Sequence, residues 1–66
     1  MNYVDRMIKE SEALLDKIGR LAFFLASEEA KQVEEIQLGL MQTQMHAMEA
    51  YLTCLTTRIR LIQNSK

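Results

Sequence analysis

Sixty-six residues make one domain at most, and a chain this short buries too little surface to stand without a disulfide, a metal or a partner. Cys54 and His46 are the sole residues of their kinds, which excludes an intrachain disulfide and a zinc site of about four ligands. A net charge of −1 with both signs mixed excludes a strongly basic nucleic-acid binder, and a chain 48% apolar without proline is not a disordered one. Partner subunits are left as the expected source of stability.

The N-terminal stretch from Met1 to Lys9 carries charges in its first turns and no long apolar run, so it does not read as a signal peptide. No run of about eighteen apolar residues occurs, so no membrane span is expected. A free cysteine without an export signal predicts a cytoplasmic protein.

The first helix is predicted over about residues 2–26. Val4, Ile8, Ser11, Leu15, Ile18, Ala22 and Leu25 alternate in steps of four and three, the spacing of a helical seam. Met7, Leu14 and Leu21 form a second column beside it, giving the width of a helix that packs into a bundle. Phe23 and Phe24 widen the apolar surface near its end.

A turn is predicted at 26–29. Ser27 is a good N-cap residue, and Glu28 and Glu29 suit the positive end of a helix dipole. No glycine or proline forces the break, so a single continuous helix is the alternative. The second helix is predicted over about 29–63, with a seam of Met41, Met45, Met48, Leu52, Leu55, Ile59 and Ile62. Val33, Leu40, Ala47, Cys54 and Leu61 add a further apolar column. Gly39 lies inside this helix at a cost of about 1 kcal/mol relative to alanine.

Folding at Ser27 pairs residues whose numbers sum to about 55, with Val4 near Tyr51, Ile8 near Ala47 and Leu15 near Leu40. On that register the second helix outruns the first. Leu55, Ile59, Leu61 and Ile62 would then project without a partner, each forgoing roughly 1.5–3 kcal/mol if left wet. The fold expected is all-α: an antiparallel two-helix hairpin, a single domain over 1–66, assembling into an oligomeric helical bundle through that C-terminal overhang.

Gln37, Gln44, Tyr51 and Arg58 stand seven residues apart along one edge of the second seam. Such a column either covers the core and reaches to water or forms the polar wall of a groove. The predicted register brings Tyr3 and Arg6 to the end that holds Tyr51 and Arg58. Tyrosine faces stack on bases and guanidinium groups grip phosphates in a two-pronged geometry, which suits a flat anionic ligand. Met41, Met45 and Met48 read as core, His46 as solvent-facing, Cys54 as a small buried residue, and the glutamates of 28–35 as a solvated face. No catalytic triad, phosphate loop, paired catalytic carboxylates or metal motif is present, so neither an enzyme nor a cofactor or metal site is expected.

Tyr3, Arg6, Glu10, Leu14, Lys17, Leu21 and Phe24, followed by Leu40, Gln44, Met48, Tyr51, Leu55, Arg58 and Ile59, resemble a family of very short bacteriophage proteins. The run Gln44-Met45-His46-Ala47-Met48-Glu49-Ala50-Tyr51 with Leu55 and Arg58-Ile59 carries most of the likeness. The chain is similar to helical-hairpin sponges that phages use against CBASS immunity. The resemblance implies a homo-oligomer in the host bacterial cytoplasm that sequesters cyclic di- or trinucleotides, cyclic GMP-AMP among them, between protomers. It implies neither chemistry nor DNA or membrane binding. Tyr3, Arg6, Gln44, Tyr51 and Arg58 match the polar positions of the pattern, with Lys17 as a further ligand-binding candidate. The turn lacks the extra loop residues that some sponges carry. A helical protein-interaction module and a structural coiled coil are the alternatives.

Overall fold

The computed structural model describes residues 2–65. Helix α1 spans Tyr3–Leu25, a short 3-10 helix spans Glu28–Gln32, and helix α2 spans Glu35–Asn64. No strand occurs among the described residues. The two helices pack antiparallel into a rod of 50 × 17 × 15 Å.

Asn2 starts α1: its side-chain oxygen accepts from the Asp5 backbone N–H at 2.9 Å, satisfying one of the unpaired donors of the first turn. Asp5 then lies at the positive end of the helix dipole. At the other end Ser27 does not cap the next helix through its side chain. Its hydroxyl donates back to the Phe24 carbonyl at 2.6 Å and closes α1. The chain makes one 3-10 turn, buries Ala30, and passes through extended backbone at Val33 (φ −86°, ψ 140°) and Glu34 (φ −55°, ψ 143°). Only then does α2 begin.

This longer connection corrects the predicted turn at 26–29 and the start of the second helix at 29. It also moves the register. Met7 packs on Leu55 and Ile59, with Ile8 and Ile62 against them, and the Tyr51 hydroxyl donates to Glu10. Facing numbers therefore sum to about 61, almost one heptad beyond the expected 55. Tyr51 does not lie near Val4.

The predicted overhang is corrected with it. Leu55 is 1% exposed and Ile59 8% exposed, both covered by α1 of the same chain, and Ile62 packs beside them. Leu61 alone of that group stays outside, at 63%. Helix α2 is the longer, at 30 residues against 23. On this register most of the extra length runs past the start of α1, where Ile62 still packs on the Met7 cluster.

The seam of α2 agrees with expectation: Met41, Met45, Met48, Leu52, Leu55, Ile59 and Ile62 are all buried or half-buried, and Leu38 extends it. In α1 the seam runs through Val4, Met7, Ser11, Leu14, Ile18, Leu21 and Leu25. Leu15, at 61% exposure, and Ala22 face outward, so the inner column is the one that contains Leu14 and Leu21. Cys54, expected to be buried, is exposed. Ser11, inside the seam, satisfies its hydroxyl on the Ile8 carbonyl at 2.7 Å.

Candidate functional site

Two columns of seven-residue spacing border the seam on the same flank. Helix α1 contributes Tyr3, Glu10, Lys17 and Phe24, and α2 contributes Gln37, Gln44, Tyr51 and Arg58. The hydrogen bond from Tyr51 to Glu10 joins them. Both columns repeat with the heptad, so one contact fixes the remaining rungs. Tyr3 stands opposite Arg58, and Lys17 opposite Gln44. Successive rungs lie roughly 10 Å apart along the helix.

Arg6 and Arg20 follow Tyr3 and Lys17 by three residues, so they share the same face of α1. All six candidates, Tyr3, Arg6, Lys17, Gln44, Tyr51 and Arg58, thus occur on one flank of the hairpin, and all are exposed. The grouping differs from the one expected. Tyr3 and Arg6 lie at the Arg58 rung, while Tyr51 is one rung inward beside Glu10. Lys17 and Gln44 form a third rung near the middle of the rod.

The charges divide by flank. This one carries Arg6, Lys17, Arg20 and Arg58 against a single carboxylate, Glu10. The opposite flank carries Asp5, Glu12 and Glu49 against Arg60, with His46 held by Glu49 at 3.2 Å. A chain of net charge −1 therefore presents a locally cationic side. Arg20 is ion-paired with Asp16 at 2.7 Å. Among the described residues Arg6, Lys17 and Arg58 are in no ion pair.

Glu10 is the member that reasoning from sequence did not place in the site. Its signal was available: it is seven residues from both Tyr3 and Lys17. It holds the Tyr51 proton, which raises the phenol above its ordinary range. Desolvation and the charge of Glu10 add to the rise, and the Arg58 guanidinium opposes it. Tyr51 is thus a neutral, oriented ring at 47% exposure, with a cation within electrostatic reach.

No cluster of three or more potential metal ligands occurs among the described residues, and none of their helices is long and apolar enough to cross a membrane. A shallow open groove between Leu15, Asp16, Gly19, Arg20 and Phe23 lies on the outer face of α1 and holds none of the six candidates.

Fold and flank together define a small helical hairpin with one aromatic and cationic side. The chain belongs to the Sequestin family, whose model matches residues 1–61. Neither a curated protein nor a solved structure matches it.

Proposed function

We propose that this chain sequesters cyclic oligonucleotide second messengers. Cyclic dinucleotides such as cyclic GMP-AMP are the leading ligands, with cyclic trinucleotides as the next class. Binding removes the signal from the host bacterial cytoplasm and blocks CBASS signalling, as the resemblance to phage sponges implies. The protein acts by mass action and performs no chemistry.

The observation that carries this reading is the gathering of Tyr3, Arg6, Lys17, Gln44, Tyr51 and Arg58 on one flank. Bases need flat apolar faces, and Tyr3 and Tyr51 offer them at 53% and 47% exposure. Phosphates need cations that are not already neutralised, and Arg6 and Arg58 stand nearby. The family's name supports a sequestering role. Two stacks at about 1–3 kcal/mol each and charge-assisted hydrogen bonds at about 1.5–3 kcal/mol each can reach the roughly −12 kcal/mol of a nanomolar complex.

Calorimetry with a panel of cyclic di- and trinucleotides tests the reading. Saturable binding is expected for at least one, weakened by Tyr51→Ala and by Arg58→Ala with the helical signal intact. Absence of heat for the whole panel at high micromolar concentration sinks it.

A second reading rests on the turn end, where Phe23 is 81% and Ile36 74% exposed. Those side chains suit a docked host or phage protein. A single stoichiometric protein partner that is released by Phe23→Ser and Ile36→Ser would favour it.

A further inference from the structure

One apolar stripe of α2 remains uncovered and has a pattern of its own. Leu40, Ala47, Cys54 and Leu61 stand seven residues apart, Leu40 at 58% and Leu61 at 63% exposure, with Ala47 and Cys54 exposed between them. Each follows a member of the polar column by three residues, so the stripe borders Gln37, Gln44, Tyr51 and Arg58 along its length. The order is large, small, small, large. It reads the same in either direction, so an antiparallel copy is complementary to it. Leu40 then meets the second copy's Leu61, and Ala47 meets the second copy's Cys54. Small residues at the centre let the helices approach closely, and leucines close both ends.

The area agrees with one such contact. A compact protein of 7.7 kDa exposes about 4,300 Å² by mass scaling. This chain exposes 5234 Å². The excess, about 900 Å², is close to the roughly 800 Å² that one partner buries in a standard interface.

We propose that two copies dock α2 against α2, antiparallel, through Leu40, Ala47, Cys54 and Leu61, and that their polar flanks then form one two-fold trough. The register places each Tyr51 about half a residue, roughly 0.75 Å, from the level of the two-fold axis. Both tyrosines straddle the centre, with the Arg58 side chains about 11 Å to either side along the helices. Like flanks adjoin in an antiparallel pair, so both α1 helices stand on the same side of the contact and their Arg6 and Lys17 line the same trough. The docking is independent of any ligand. That the trough takes a two-fold dianion rests on the function proposed above.

The charges make this mode distinguishable from its main competitor. Docking brings two cationic flanks together, which costs repulsion that salt screens. Stacking the cationic flank of one copy on the Asp5, Glu12 and Glu49 flank of the next would be an attraction that salt weakens.

Ala47→Cys tests the register. In the proposed pair the introduced thiol of one copy faces Cys54 of the other, at two symmetric places. Within one chain the two thiols are about 10 Å apart along the helix, beyond the roughly 7 Å limit for a disulfide. Cys54 is equally far from its own symmetry mate. Under mild oxidation without nucleotide, Ala47→Cys should become a covalent dimer at least tenfold faster than the unmodified chain. In sedimentation the unmodified chain should dimerise, several-fold more tightly as salt rises from about 0.05 to 0.5 M. Leu40→Glu with Leu61→Glu should give a helical monomer. A monomer at about 100 µM in high salt, association weakened by salt, or dimers in which Ala47→Cys gains no cross-linking would each overturn the proposal. Cross-linking without binding of any cyclic nucleotide would remove the ligand reading and leave the docking; nucleotide binding by a monomer would do the reverse.

Discussion

The two ends of the rod are built differently. At the end away from the turn, Met7, Leu55 and Ile59 form a closed cluster, and Tyr51 and Glu10 tie the helices across it. Near the turn, Phe23, Ile36, Leu15 and Leu40 are all more than half exposed, and burial is confined to Ile18 and Ala30. In most hairpins the turn holds its neighbours together because they are close in sequence. Here the dense packing joins residues about fifty apart, where closing the loop costs the most entropy. The far end must therefore supply its own attraction. The candidate site shares that end, so the rungs of Tyr3, Arg58, Tyr51 and Glu10 rest on the best-packed part of the molecule. A site held by packing rather than by a loop is pre-organised, which lowers the cost of binding.

The comparison breaks first at Leu55. Leu55→Ala deletes the most buried side chain among the described residues and should cost about 2–5 kcal/mol of stability. Urea denaturation followed by circular dichroism measures it. A loss under about 1 kcal/mol would mean that the far end is not where the hairpin is held. The next effect is on the ligand. Arg58→Ala removes a cation from the outermost rung and should weaken binding of a cyclic dinucleotide by about 1.5–3 kcal/mol, roughly ten- to a hundredfold. Its unfolding midpoint should not move, because Arg58 is exposed. Parallel loss of affinity and stability would place Arg58 in the frame of the hairpin.

The seam of α2 was fully legible in the sequence, because Met41 to Ile62 keep an unbroken heptad and are polar just beside it. The register was not. Carried back from Leu38, the same spacing falls on Glu34 and Lys31, and those charges mark where the seam stops. Reading 29–34 as helix ignored that signal in favour of propensity, and propensity does not separate an α from a 3-10 turn in Glu-Glu-Ala-Lys-Gln. A shift of six residues in the connection moved every pairing, covered Leu55 and Ile59, and put Glu10 opposite Tyr51. The flank survived the shift because both polar columns share the heptad repeat, so a slip of nearly seven residues exchanges rungs without changing sides. Cys54 was misjudged for a different reason: small residues at helical spacing look alike whether they face the core or a bare outer stripe.

The Tyr51 phenol gives a smaller, pH-dependent readout of the packed end. Its folded pKa lies above the ordinary 10.0 because Glu10 holds the proton. A proton held more tightly in the folded state stabilises the hairpin below that ordinary value, and the contribution is lost as pH rises through the raised pKa. In a Tyr3→Phe background, phenolate absorbance should therefore appear above the ordinary range. Glu10→Ala should bring it down, because removing the acceptor also leaves the Arg58 charge unopposed. An unchanged titration would show that the Tyr51 to Glu10 bond does not persist in solution.

The smallest effect is expected at the other end. Phe23 is 81% exposed in the hairpin, so Phe23→Ser removes almost no packing and should change stability by no more than about 0.5 kcal/mol. The same urea titration as for Leu55→Ala decides it, and the contrast between the two is the sharper quantity because errors of extrapolation are shared. A large loss at Phe23 would mean that the turn end is covered in solution. Whether that loss depends on protein concentration would then separate cover by another copy, which mass action strengthens, from cover within the chain. The docking stripe on α2 does not include Phe23, so the proposed dimer predicts no such dependence at this position.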